Sequence, residues 1–582
     1  MKKAIILAVI GLFSLGHAVG YYVAPWGNDT NPGTSTRPWR TINKAATTLV
    51  AGDSVLIRAG IYRESVNPAR SGTAALPITY KNYGTEEVVV EGGEVVTGWT
   101  QDSGNRYRAT VNFTPSPRFN SLRDPRNNKG GLVLQNGAKM RYAMAPSLTD
   151  VDLPGEYYMN DSASPPYTMY VYVRDLGSGY DPNNYQLTVG RYRKGFDLDG
   201  GEDYQIADGL TFRDYNDNAI HSIGSNYCQF KNLKLYSNFI TGIYLTDYSR
   251  NCLIERCAFW DNGHGGIELA RSHSATVRRN KFTSINLGDG LGGNGAHIWN
   301  GPLTYLSDSC LFENNLGFRS GSDYISSGFI VIRGNYCLLR HNSGVNSGMG
   351  GITLLDGGDN TVVNNAIDAS QGMACIAVFP EAVADSGHLI RYNDWFAQDP
   401  TQKYWWNGIR YNSIAEWQAA SGQTNNFAVR PGFVQPDSED LHLMLTSPCI
   451  DSGTSVNASS EDYDGNARPQ GRGYDIGAYE YLVQQVAEGP AAARGLGLIS
   501  IRPNPATHGI WFCRANLLGS GQIRIFDLAG RTVRVIDIKE NQSEAYWDGR
   551  DDRRTRLPAG TYYLVYTAGS RPEAERKCIL LR

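Results

Sequence analysis

Between residues 203 and about 398, short runs of alternating apolar and polar residues recur at regular intervals. Units beginning at Asp203, Tyr227, Asn251, Ala275, Ser309, Tyr336, Asn360 and Gly387 are separated by 24, 24, 24, 34, 27, 24 and 27 residues. From Tyr227 onward each unit opens with a run such as YCQFKN, NCLIER, ATVRRN or SCLFEN. A second apolar run follows, usually after Gly: GIYL, GIEL, HIWN, FIVI, GITL, CIAV. An amphipathic helix needs apolar residues three and four apart, whereas these runs alternate and break at Gly, Asn, Asp and Ser, as short strands joined by turns do.

A unit this small cannot bury its own apolar face. Stacking successive coils pairs every strand in parallel and fills one continuous interior, which predicts an all-β chain built on a right-handed parallel β-helix. The sixth place of the units is held by Asn232, Arg256, Asn280, Asn314, His341, Asn365 and Tyr392. A mostly Asn column is expected to serve two ends at once: Asn tolerates the left-handed conformation, and its amide bonds to the coil above or below. Cys228, Cys252, Cys310 and Cys337 share the second place, which predicts stacked buried thiols and no disulfide framework. A pairing of Cys513 with Cys578 is left open.

The chain has 582 residues and a net charge of −3, so no basic footprint for nucleic acid is present. Charged residues make up only 19% while there are 65 glycines and 35 tyrosines, a balance suited to turn-rich β structure with aromatic surface contacts. Residues 1–20 read as a signal peptide: Lys2 and Lys3, the apolar AIILAVIGLF, then small residues at Gly16, Ala18 and Gly20. No later apolar run is long enough to span a bilayer, so the expected location is secreted or cell-surface associated.

The opening YYVAPWGNDTNPGTSTRPWRTINKA, followed by GDSVLIRAG, resembles the start of secreted bacterial β-helix proteins of the pectate lyase-like superfamily, many of them polysaccharide-active. That resemblance implies a cap helix near residues 41–50 and first coils over residues 21–98. Residues 99–200 leave the coil period and read as an inserted or flanking β subdomain, residues 201–400 as the repeats. Residues 401–484 carry SPCIDSG, DGN, RP and DIGAYE, which resemble the C-terminal closure of exported β-helix proteins. Residues 485–497 read as a linker. The final stretch, 498–582, with RPNPA, IFDLAGRTVRVI and LPAGTYYLVY, resembles the immunoglobulin-like sorting domains of type IX secretion and of flagellar hook-cap proteins. This implies secretion or surface-anchoring machinery as a partner.

Chemistry on a filled solenoid must use outward residues and turns. With Ile243, Ile267, Ile298, Ile330, Ile352 and Ile376 taken as inward, the following residues form an outward column that includes Tyr244, Glu268 and Trp299. The preceding residues form another with Gly242, Gly266, His297, Phe329, Gly351 and Cys375. Neighbours along such a column lie about 4.8 Å apart. His221 belongs to the preceding coil, His264 to the turn entering the Glu268 strand and Arg271 to the turn leaving it. Two lengthened turns, around LGDGLGGN and SGSDYISS, bring Asp289 and Asp323 beside the same patch as a wall.

Two reactions suit this cluster. β-Elimination on a uronate-containing polysaccharide needs a group to neutralise the carboxylate, a base and an acid. Arg271, then His297 or His264, then Tyr244 supply them, with Trp299, His221, Asp289 and Asp323 binding substrate. Glycoside hydrolysis needs two carboxyl groups, Glu268 with Asp289 or Asp323. A non-catalytic carbohydrate binder is the third class, since Trp299 and Tyr244 suit stacking on sugars. The segment GIELARSH is similar to alginate-type β-helix lyases, which carry a Glu followed by basic residues. No Asp cluster stands on the outward positions read this way, which counts against a calcium pectate lyase in particular. No cofactor is fixed by the sequence and calcium is left open; Asp462, Asp464 and Asn466 offer alternate oxygens, though without a downstream bidentate Glu they read as an Asp-Gly turn.

Overall fold

The computed structural model describes residues 19–114, 133–136, 138–139, 147–160, 165–263, 265–283, 294–299, 307–318, 328–345, 350–370, 373–385, 387–482, 499–502, 510–514, 520–527, 530–539, 542, 544–568 and 571–580. The signal-peptide and linker readings lie outside them, save for residues 19 and 20. The chain divides into two compact units, the first ending at Leu482.

The first unit is a parallel β-helix with three sheets, not the two strands per coil that the apolar runs display. The first sheet has 11 strands, from Gly20–Val23 to Leu389–Arg391; the second has 10, from Gly60–Arg63 to Asp394–Phe396; the third has 10, from Phe196–Leu198 to Ile409–Tyr411. Successive coils pair in register: Phe230 with Ile254 and Val277 in the first sheet, Leu235 with Phe259 and Phe282 in the second, Ile243 with Ile267 in the third. These residues are fully buried and form one apolar column.

The corners separate the two duties expected of one Asn column. The left-handed position is held by Asn232, Arg256, Arg279, Asn314, His341, Asn364 and Tyr392, all with φ between 53° and 56°. The amide ladder is built one residue later. Asn280, Asn315, Asn342, Asn365, Asn393 and Asn426 each present a side-chain oxygen to the preceding rung, and the Asn342 amide reaches Asn365 at 2.9 Å. A left-handed residue turns its side chain outward, so the inward amide must come from its neighbour. Cys228, Cys252, Cys310 and Cys337 are buried free thiols, as is Cys578.

The open end is capped by the helix Ile42–Thr48. Thr41 accepts from the Lys44 N–H, and the Glu64 carboxylate takes the N–H groups of Ile42 and Asn43 at 3.0 and 2.8 Å. Between Gly93 and Gly190 two four-stranded antiparallel sheets enclose a separate core that includes Val111, Tyr157, Met169 and Val189. The closing segment lays Phe433, Leu441, Ile476 and Tyr479 over Leu316, Phe318 and Val345. It is locked by Arg468, whose guanidinium pairs with Glu480 at 2.7 Å, both side chains wholly buried. Asp462 spends its carboxylate on the N–H groups of Gly465, Asn466 and Glu480 and on the Asn466 amide, so it is a turn acceptor and not a calcium ligand.

The second unit pairs a three-stranded sheet (Ile499–Arg502, Ile510–Arg514, Glu544–Trp547) with a four-stranded one (Gly521–Phe526, Thr532–Ile538, Gly560–Ala568, Arg571–Leu580). Ile525, Trp547, Leu564 and Cys578 lie in the core between them. Among the described residues no helix is long and apolar enough to cross a membrane.

Candidate functional site

The outer face of the third sheet carries one row of ionisable residues on consecutive rungs. Backbone register aligns Asp197 with His221, His221 with Tyr244, Tyr244 with Glu268, and Glu268 with His297. The flanking Ile220, Ile243, Leu245, Ile267 and Leu269 point inward and are fully buried, which turns the row outward. Beyond His297 the row continues as Val331 and Thr353, so the chemistry ends there.

Three expectations change. His297 stands opposite Glu268 and not in a separate column, with Ala296 and Ile298 taking the places aligned with Ile267 and Leu269. Trp299 pairs with Ala270, two residues along the strand from the row. The column expected to face solvent before each Ile faces inward: a Cβ added to Gly242 would sit 2.7 Å from the Phe259 ring, one on Gly351 would sit 2.3 Å from Ile367, and Phe329 and Cys375 are core residues. Gly242 and Gly351 pack against core residues of the second sheet, Phe259 and Ile367, so the outward-inward alternation holds only from the Ile onward. His264, Asp289 and Asp323 lie outside the described residues, as do the side chains of His297 and Trp299.

Glu268 is only 5% exposed although it faces outward, and the Thr241 hydroxyl lies 3.3 Å from its Oε2. Burial and then the Glu268 carboxylate push the Tyr244 phenol up to about 12, so it keeps its proton across the neutral range. Arg271 follows the strand Gly265–Ala270 in a left-handed turn at φ 55° and pairs with Asp247. Its buried Nε has no partner among the described residues.

At the other end of the row lies a cluster the sequence reading did not include. The Asp199 carboxylate holds His221 Nδ1 and the Lys194 ammonium, and Lys194 also stands 3.5 Å from Asp197 Oδ1. Asp197 and Asp199 alternate with the buried Leu198, so both face outward, and an outward Asp pair exists after all. Burial and the neighbouring Asp199 push Asp197 up to about 6. Burial works in the same direction on Asp199, but the hydrogen bonds from His221 and Lys194 outweigh it and hold that carboxylate well below its ordinary range. Ligand atoms of Asp197, Asp199 and His221 come within 4.8 Å of one another, close enough for a metal ion, yet Lys194 already supplies the counter-charge. The tilted rings of His221 and Tyr244 lie 5.2 Å apart. Lys194, Asp197 and Asp199 precede the first legible repeat; Asp-Leu-Asp beside an alternating run was the signal available.

Residues 190–316 match the family described as the right handed beta helix region, and residues 517–571 match the FlgD Ig-like domain. The pectate lyase PEL9 of Emericella nidulans is 24% identical over 420 residues, covering 66% of this chain and 86% of that lyase. A 74-residue stretch is 45% identical to YwoF of Bacillus subtilis, an uncharacterised protein, over 13% of this chain and only 16% of YwoF. The solved structure of a glycoside hydrolase superposes with a TM-score of 0.50 at 13% identity, covering 71% of this chain and 96% of that one. The class is thereby set: a right-handed parallel β-helix protein, similar in sequence to a pectate lyase, with an immunoglobulin-like domain of the FlgD type towards its C-terminus.

Proposed function

We propose that this protein is an exported, surface-associated enzyme that cleaves uronate-containing polysaccharide by β-elimination on the outer face of the third sheet. The observation that carries this reading is the register of His221, Tyr244, Glu268 and His297 on four consecutive rungs. Elimination breaks the C5–H bond, turns its electron pair into the C4–C5 double bond and expels the C4 oxygen, which takes a proton. It therefore needs a base near C5 and an acid near the C4 oxygen, a few ångströms apart. Tyr244, kept protonated by burial and by Glu268, is the acid. The base is an imidazole of the row, and the Arg271 guanidinium, part-exposed at the end of the Glu268 strand beside Asp247, meets the uronate carboxylate.

The sequence similarity to a pectate lyase supports the substrate class. Hydrolysis, the second reading, requires two carboxyl groups about 5–9.5 Å apart. Asp199, close to Asp197, is engaged by His221 and Lys194, and Asp289 and Asp323, the partners expected for Glu268, lie outside the described residues. Asp197 is three rungs from Glu268, about 14 Å at the usual strand spacing. The C-terminal domain would anchor the enzyme at the surface or engage its secretion machinery. Incubation of the purified protein with a panel of polysaccharides, with and without chelator, tests the proposal. Near-ultraviolet absorbance of an unsaturated uronate supports it, new reducing ends without that absorbance assign a hydrolase, and retention without products assigns a binder.

A further inference from the structure

We propose that His221 is the base of this reaction and that Asp199 is its positioning residue, fixing the imidazole as the Nδ1–H tautomer with Nε2 free to take the proton. The inference rests on the β-elimination reading and assigns His221 a role other than substrate binding.

Three observations converge on it. His221 Nδ1 is held by the Asp199 carboxylate, and no hydrogen bond engages Nε2 among the described residues. An imidazole whose Nδ1 donates to a carboxylate must carry its lone pair on Nε2, and the carboxylate stabilises the imidazolium once that nitrogen is protonated. Asp199 is itself immobilised by the Lys194 ammonium, which also reaches Asp197, so the carboxylate cannot swing away from the ring. His221 is 8% exposed and its ring lies 5.2 Å from that of Tyr244 on the next rung, so base and acid flank the same few ångströms of sheet.

The proton balance closes on these two rungs. Nε2 of His221 takes the C5 proton while the C5–H electrons form the C4–C5 double bond. The C4–O bond breaks with its electrons on oxygen, and the Tyr244 hydroxyl gives that oxygen a proton. Imidazolium and phenolate then stand side by side, and return of the proton from Nε2 to the Tyr244 oxygen restores both groups without an external donor.

The test compares wild-type protein with Asp199→Asn, Asp199→Glu and His221→Gln on the glycan that the wild type cleaves. His221→Gln should lose about 100-fold to 10,000-fold in kcat, and Asp199→Asn, which favours the wrong tautomer, about 100-fold or more, each with KM nearly unchanged. Asp199→Glu, which keeps the acceptor, should recover part of the loss. Independently of activity, the imidazole nitrogen NMR signals of the wild type, assigned to His221 by their disappearance in His221→Gln, should show the proton on Nδ1. Full kcat in Asp199→Asn, or a proton on Nε2 in the wild type, overturns the inference while the lyase reading stands. A wild type that produces no unsaturated uronate from any glycan overturns both.

Discussion

Replacement of Tyr244 by Phe removes one oxygen atom and leaves the ring against His221. The phenol sits on the outer face beside Glu268, and burial with that carboxylate keeps it protonated, up to about 12. Deleting its hydroxyl forfeits one hydrogen bond, about 0.5–1.5 kcal/mol of stability, and no apolar contact area. Loss of an acid at the leaving oxygen costs about 100-fold to 10,000-fold in rate, which is about 2.7–5.5 kcal/mol in the barrier. The two effects are therefore separable. Initial rates of near-ultraviolet absorbance, measured over a range of substrate concentrations, should show kcat reduced by at least about two orders of magnitude with KM nearly constant, while the thermal midpoint moves little. A variant with kcat within about threefold of wild type would refute the assignment of Tyr244 as the acid. A large drop in the midpoint would show that the hydroxyl is structural.

Glu268→Ala and His297→Ala should each lower activity strongly, measured as initial rates of near-ultraviolet absorbance; full activity in both would remove these two residues, though not His221 and Tyr244, from the mechanism. Glu480→Gln should destabilise the first unit by about 3–5 kcal/mol in chemical denaturation, because it strands the wholly buried Arg468 charge; an effect below about 1 kcal/mol would contradict that account. His442, held between Asp440 and Asp464, is raised to about 9 by their hydrogen bonds against the effect of burial. Its folded value exceeds the ordinary 6.5, so its contribution to stability is full below about pH 6.5 and is lost as pH rises through about 9. The midpoint difference between wild type and His442→Gln should shrink across that window, and a constant difference would argue against the clamp.

Much of the solenoid was legible because its period forces like residues into columns. The thiol stack at Cys228, Cys252, Cys310 and Cys337 and the row through Tyr244 and Glu268 follow from counting alone. The second sheet was not visible, because strands such as Lys234–Tyr236 and Ala258–Trp260 follow the first-sheet strands Gln229–Lys231 and Leu253–Glu255 after only two residues, so each pair reads as one run. The Asn column was half right. Asn365 builds the ladder while Asn364 takes the left-handed turn, and a one-residue offset between two roles leaves no mark in composition. Trp299 was misplaced for a related reason. The lengthened turn before it removes the reference that fixed register elsewhere, and Ile298, taken as equivalent to Ile267, aligns with Leu269. Lys194, Asp197 and Asp199 escaped because they precede the first complete repeat, and only the pairing of Asp197 with His221 brings them to the row.

The most direct test of the account is a crystal structure of the Tyr244→Phe protein with a uronate oligosaccharide bound. The account predicts sugar rings lying on the outer face of the third sheet, a carboxylate against Arg271 and one C5 atom about 3–3.5 Å from an imidazole of the row. An oligosaccharide seated on the first or second sheet, away from His221 and Glu268, would contradict it.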